Sequence, residues 1–159
     1  MTPPLLRLLG TARAGDPAAP SAAARRAKRR VFRTVTNRVV NPVVRPLIER
    51  GALDPAWALL ETRGRLSGEP RVVPLGNGLR GDTFWIVTEH GRRAHYVRNI
   101  EADPRVRVKV GGRWRTGTAH VTDDDPYERL RRLRRPVNDA LLLAVGTEQL
   151  VVRVDLDPA

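Results

Sequence analysis

Arg105-Val106-Arg107-Val108-Lys109-Val110-Gly111-Gly112-Arg113-Trp114-Arg115 alternates cations with valines, turns on two glycines and resumes the alternation. A β-strand sends successive side chains to opposite faces, so the three valines share one face and the three cations share the other. One face is core and the other is wet. The Gly-Gly pair suits a two-residue hairpin loop, whose central positions need positive φ. Outward from this hairpin, Trp57–Glu61, Arg71–Leu75, Phe84–Thr88, Arg113–Val121 and Gln149–Leu156 also read as strands. Six strands with short turns predict a small antiparallel barrel, which closes its own edges. Two helices fill the gaps, at about Ala94–Ala102 and Pro126–Val145, the second interrupted by Pro136. Asp123-Asp124-Asp125-Pro126 reads as the N-cap of that second helix rather than as a catalytic carboxylate pair.

The length of 159 residues suits one domain. Lys and Arg number 29 against 17 Asp and Glu, a net charge of +12, and the excess is concentrated at the start. Residues 1–50 hold 11 basic and 2 acidic side chains, and only Lys28 and Lys109 of the whole chain are lysines. That pattern reflects a general arginine bias more than a nucleic-acid surface, and Trp57, Trp85 and Trp114 fall on separate strands instead of forming a stacking platform. No specific nucleic-acid partner is expected. The chain has no cysteine, which excludes disulfides, thiolate ligands and a cysteine nucleophile and suits the cytoplasm. His90, His95 and His120 have no zinc-motif spacing, so no metal is expected. No apolar run approaches the roughly 20 residues of a membrane span.

Residues 1–30 mix prolines, alanines and the cluster Arg25, Arg26, Lys28, Arg29, Arg30, a composition read as disordered. From Val31 to Ile48 the apolar residues recur at helical spacing, with a break expected near Pro42 and an end at Gly51. This amphipathic helix is expected to pack on the domain 31–159, the alternative being peripheral association with an anionic membrane surface.

The stretch Thr62-Arg63-Gly64-Arg65-Leu66-Ser67-Gly68-Glu69-Pro70-Arg71 joins two predicted strands and has the composition of an anion-binding loop. Glycines let backbone N–H groups converge, serine adds a donor, and arginine offers a planar fork for phosphate or carboxylate oxygens. After it come Arg71-Val72-Val73-Pro74-Leu75, then Trp85-Ile86-Val87-Thr88-Glu89-His90-Gly91, then Tyr96-Val97-Arg98-Asn99-Ile100-Glu101-Ala102-Asp103-Pro104.

From about Asn41 onward this series resembles the deazaflavin-dependent nitroreductase family, actinobacterial α+β proteins with a split β-barrel that bind coenzyme F420. The resemblance implies a reductase that passes hydride from reduced F420 to a small quinone, enone or nitro acceptor. It implies that Arg65, Ser67, Gly68 and Arg71 hold the phosphate end, with Pro74 and Asn99 also at the cofactor. Val87, Thr88 and Glu89 would run along the ring. Relatives often carry a basic residue where this chain has Leu66, and serine-lysine where it has Glu89-His90. His90, Arg63, Arg92 and Arg93 would then serve the anionic tail. Tyr96 stands as the candidate proton donor, its alternative being a packing tyrosine with a capped hydroxyl. FMN-binding relatives share the barrel, which makes FMN the alternative cofactor. A non-catalytic module holding F420 or another anionic amphiphile is the alternative function. No oligomeric state follows from the sequence.

Overall fold

The computed structural model describes residues 21–35, 42–43, 45–52 and 56–159. In chain order the elements are α1 (Ala22–Val35), α2 (Arg45–Glu49), β1 (Trp57–Arg63), β2 (Pro70–Gly76), β3 (Leu79–Arg80), β4 (Thr83–Val87), α3 (His95–Ala102), β5 (Arg105–Val110), β6 (Arg113–Thr122), α4 (Pro126–Leu133), α5 (Pro136–Val145) and β7 (Val151–Leu156). The seven strands form one antiparallel sheet in the order β2-β1-β5-β6-β7-β4-β3.

The expected alternation sets the central hairpin. Val106 and Val108 are buried while Arg105 and Arg107 face solvent. Val110 pairs with Arg113 across Gly111 and Gly112, whose φ values of 57° and 75° are those a tight two-residue turn needs. On the wet face the Arg107 guanidinium lies 4.7 Å from the Trp114 ring centre and 3.2 Å from Glu61.

The sheet curls because its two edge strands are neighbours in sequence. Only Asn77 and Gly78 separate the end of β2 from the start of β3, although these strands lie at opposite ends of the strand order. Leu75 from one edge and Leu79 from the other therefore pack on a single core with Leu60, Phe84, Val108 and Val154. The result is a split β-barrel, with α3 contributing Tyr96, Val97 and Ile100 to the same core. A second apolar cluster lies outside it, where Leu130 and Leu133 of α4 and Leu142 of α5 cover Val87 and Val151. Asp125 caps α4, accepting hydrogen bonds from the Tyr127 and Glu128 backbone N–H groups.

The closing link explains Gly78. A Cβ there would lie 1.8 Å from the Trp85 carbonyl oxygen, while the Trp85 N–H donates to the Gly78 carbonyl at 3.0 Å. Gly78→Ala should therefore lower stability by about 2 kcal/mol, seen as a lower urea midpoint, because the clash is with backbone that cannot move aside.

Two readings of the sequence need correction. Helix α1 starts at Ala22 rather than Val31, so residues 22–30, expected to be disordered, are helical. Its sequence explains this: Ala22, Ala23, Ala24 and Ala27 are the best helix formers, and the Ser21 hydroxyl accepts the Ala24 N–H at 3.2 Å. Strand β3, with two residues, is too short to show a period and was not expected. Residues 1–20, and most of the stretch in which the break near Pro42 was expected, lie outside the described residues.

Candidate functional site

The β1–β2 hairpin presents the arginine- and glycine-rich loop. The Gly64 N–H donates to the Glu69 carbonyl at 2.8 Å and the Gly68 N–H to the Gly64 carbonyl at 2.7 Å, with Gly68 at φ 74°. The Ser67 hydroxyl accepts from the Glu69 N–H at 3.2 Å and from Arg71 Nη2 at 3.3 Å. A Cβ on Gly64 would meet Ser67 Oγ at 2.9 Å, so the turn is closed as tightly as glycine allows. Leu66 stands at its tip, 90% exposed.

Asn99 ties this loop to α3. Its buried amide Nδ2 donates to Thr62 Oγ1 at 3.0 Å, and its Oδ1 accepts from the Arg65 backbone N–H and Nη1, each at 3.2 Å. All the polar capacity in these contacts goes to holding the loop. Arg63 turns the other way, donating to the Gly68 carbonyl and lying 3.5 Å from Asp103. Arg92 pairs with Glu101.

A cavity of about 1080 Å³ lies between α1 and the end of β2. That is the upper end of the usual range for small-molecule sites. Val73, Pro74 and Leu75 of β2 give it an apolar wall, and α1 opposes them with Ala23, Ala27 and Val31. Arg26, Arg29 and Arg30 of α1 line it together with Arg93 and Arg98. Among the described residues none of these five arginines lies within ion-pair distance of an acid, whereas Arg63, Arg92, Arg105, Arg107 and Arg115 all do. Desolvation, followed by the like charges of Arg93, Arg26 and Arg25, holds Arg29 below the ordinary arginine range. Positive charge is crowded here, with Glu89 in the cavity lining and Glu148 the acid that acts on Arg29.

The segment after β4 supplies the polar end of the cavity. The Glu89 carbonyl accepts from the Thr147 and Glu148 N–H groups at 2.8 and 3.3 Å, which fixes the backbone at that point. Gly91, at φ 54°, opens the 3-10 turn Gly91–Arg93 that leads into α3. The turn brings Glu89 and Tyr96 together, and the buried Tyr96 hydroxyl donates to Glu89 Oε2 at 3.2 Å. Burial pushes the Glu89 carboxyl above the ordinary carboxylate range. Burial, then the adjacent Glu89 charge, pushes the Tyr96 phenol well above its usual value. His90 is held below its usual value by desolvation and by Arg29 and Lys28, with Nδ1 3.0 Å from Thr147 Oγ1.

Of the residues expected at the site, Pro74, Glu89, His90, Arg93 and Tyr96 line the cavity. Arg65, Ser67 and Gly68 stand in the loop that Asn99 joins to α3 and Arg71 follows on β2, and these residues, like Arg63 and Arg92, are not in the cavity lining. Val87 is covered by α4 and α5, and Thr88 is fully buried with an Oγ1 that has no hydrogen-bond partner among the described residues. The sequence reading missed the arginines of α1, Arg98 and the apolar wall at Val73 and Leu75. The signal for α1 was its alanine content, hidden beneath prolines and charge.

A curled antiparallel sheet, an arginine- and glycine-rich loop braced by Asn99 and a cation-lined cavity mark a split-barrel protein with a candidate ligand site. The model of the F420H(2)-dependent quinone reductase family matches residues 26–157, and the chain belongs to that family. It is an F420H2-dependent reductase, and the match begins inside α1. No curated protein matches the chain. Among solved structures it is similar to one described as a domain-swapped dimer, at 22% identity over 74% of this chain and 96% of that one, with a TM-score of 0.53. It is also similar to HutZ, the heme storage protein from Vibrio cholerae, at 14% identity over 72% and 90% of the two chains, with a TM-score of 0.50. An F420-H2 dependent reductase, FDR-A, is 22% identical over 66% and 96%, with a TM-score of 0.49. Likenesses at this identity bear on the fold alone.

Proposed function

We propose that the protein passes hydride from reduced F420 to a small quinone, enone or nitro acceptor, using the cavity between α1 and β2 as the common site. The observation that carries this reading is the set of five arginines, none in an ion pair among the described residues, beside an apolar wall. F420 has the matching chemistry: a flat tricyclic ring, a phosphodiester, a lactyl carboxylate and a glutamate tail. FMN has one phosphate and no such tail, so the arginine count favours F420.

When bound, the deazaflavin supplies the hydride, and the chain supplies position and charge. Val73, Pro74 and Leu75 would hold the ring. Arg65, Ser67, Gly68 and Arg71 would hold the phosphate, with Asn99 keeping the loop in shape. Arg93, His90 and the α1 arginines would take the carboxylates, while Arg63 and Arg92 stand at the outer edge. Val87 and Thr88 support the strand end that carries Glu89. Converging cations also stabilise the negative charge that develops on the acceptor as hydride arrives.

This assignment gives α1 a role without a membrane surface, since its arginines and Val31 line the cavity. No described helix is long and apolar enough to cross a membrane. The lack of cysteine fits work in the cytoplasm.

Arg71→Ala tests the loop assignment. It should weaken F420 binding by about 1.5 kcal/mol, roughly tenfold, the scale of one charge-assisted hydrogen bond, with the thermal midpoint little changed. The measurement is a fluorescence titration of F420. An unchanged dissociation constant would remove Arg71 from the site.

A further inference from the structure

We infer that Glu89, rather than Tyr96, is the group that hands the acceptor its proton, with Tyr96 holding the carboxyl in place. The inference rests on the reductase reading above and assigns a catalytic residue to it.

The geometry separates the two side chains. Both line the cavity, but the single phenolic proton of Tyr96 is spent on Glu89 Oε2 at 3.2 Å. A tyrosine so placed is a donor to the glutamate and has no second proton for an acceptor. Glu89 Oε2 takes that bond, and no other side chain among the described residues donates to the carboxyl, which leaves Oε1 as the oxygen that can present a proton to the cavity. The side chain is only partly buried, so it is enclosed by protein yet open to what enters the cavity. Its backbone is pinned by the Thr147 and Glu148 N–H groups, and Tyr96 fixes one carboxyl oxygen, so the remaining oxygen has little freedom.

The surroundings keep a proton available. Desolvation raises the carboxyl, outweighing the hydrogen bonds from backbone and Tyr96 and the attraction of Arg135 ahead of α5. The other cations facing the cavity, Arg29 and its neighbours on α1 with Arg93 and Arg98, do not reverse that direction. Two histidines, His90 and His95, share the cavity lining, and Glu148 lies beyond Gly91. His90 is driven toward its neutral form, which makes it a poor proton donor near neutral pH.

In the step itself the hydride brings the acceptor one electron pair and one hydrogen nucleus. The Glu89 O–H bond breaks as a new bond to hydrogen forms on the acceptor, at oxygen for a quinone. The acceptor is reduced by two electrons and the cofactor is oxidised by two. The carboxylate regains its proton from water, matching the proton that the reduced cofactor releases to solvent on oxidation.

The sign of the pH dependence follows. A raised carboxyl keeps its proton in the folded state over a window in which the unfolded chain has lost it, so wild-type stability falls as pH rises through that window. Turnover holds across that window and falls at its upper end, where the folded carboxyl itself loses its proton, because the protonated form is the active one.

The test compares wild type with Glu89→Gln and Tyr96→Phe. Carbon-13 NMR of the protein without ligand should show one glutamate carboxyl titrating above the rest and missing from Glu89→Gln. With menadione as acceptor, Glu89→Gln should lower kcat on the order of a hundredfold, remove the alkaline fall in rate and leave F420 affinity within about twofold. Tyr96→Phe should cost only a few-fold. Ordinary titration of Glu89, or an active Glu89→Gln with the alkaline fall intact, overturns the inference while the reductase reading stands. A wild type that never oxidises reduced F420 overturns both.

Discussion

Asn99→Ala should lower the stability of the fold by about 3 kcal/mol and weaken F420 binding in the same protein. The substitution removes three hydrogen bonds made by one buried amide and strands their partners, the Thr62 hydroxyl and the Arg65 backbone N–H. A buried donor or acceptor left unmatched costs about 1 to 3 kcal/mol, more than the bond itself contributed, and the missing side chain also leaves a small void. The loop then loses its tie to α3, so Arg65 and Ser67 no longer converge. Asn99→Asp keeps the shape and the acceptor but not the donor to Thr62, and should fall between wild type and alanine. The checks are chemical denaturation for stability and an F420 titration for affinity. Loss of affinity without loss of stability would make Asn99 a direct ligand, as the sequence resemblance implied, instead of a brace.

The second large effect belongs to α1. Substituting alanine for both Arg26 and Arg29 should weaken F420 binding about a hundredfold, the scale of two charge-assisted contacts partly screened by solvent. Because the helix is alanine-rich and neither side chain is in an ion pair among the described residues, the double variant should keep its thermal midpoint. The loss should shrink at high salt, where wild-type affinity itself falls. Forms of the cofactor with shorter glutamate tails should lose less from the substitution than longer ones. Equal losses for all tail lengths would place these arginines at the phosphate.

What the sequence made legible was whatever repeats with the period of its own structure. Arg105–Val110 alternates, so its strand, its buried face and its hairpin partner followed directly. Asp125 before Pro126 announced its cap. The anion loop was legible because glycine, serine and arginine are needed there by type. Helix α1 was not, for a physical reason: one side of it faces a cavity rather than a hydrophobic core. Its residues there are Ala23, Ala27 and Val31 among arginines, and before Val31 the stripe holds nothing larger than alanine, so its first turns did not stand out. Strand β3 is imposed by closure of the barrel, which no local pattern records. The meeting of Glu89 with Tyr96 needed the turn at Gly91 to be seen, since a separation of seven residues fixes no distance in a chain that changes direction between them.

The most direct measurement is a side-by-side titration of the purified protein with F420 and FMN, followed by anaerobic mixing of reduced F420 with menadione. The expected result is saturable F420 binding that weakens in the Arg26 and Arg29 double variant, FMN binding that is far weaker, and protein-dependent oxidation of reduced F420. Tight FMN binding with no response to F420 would contradict it.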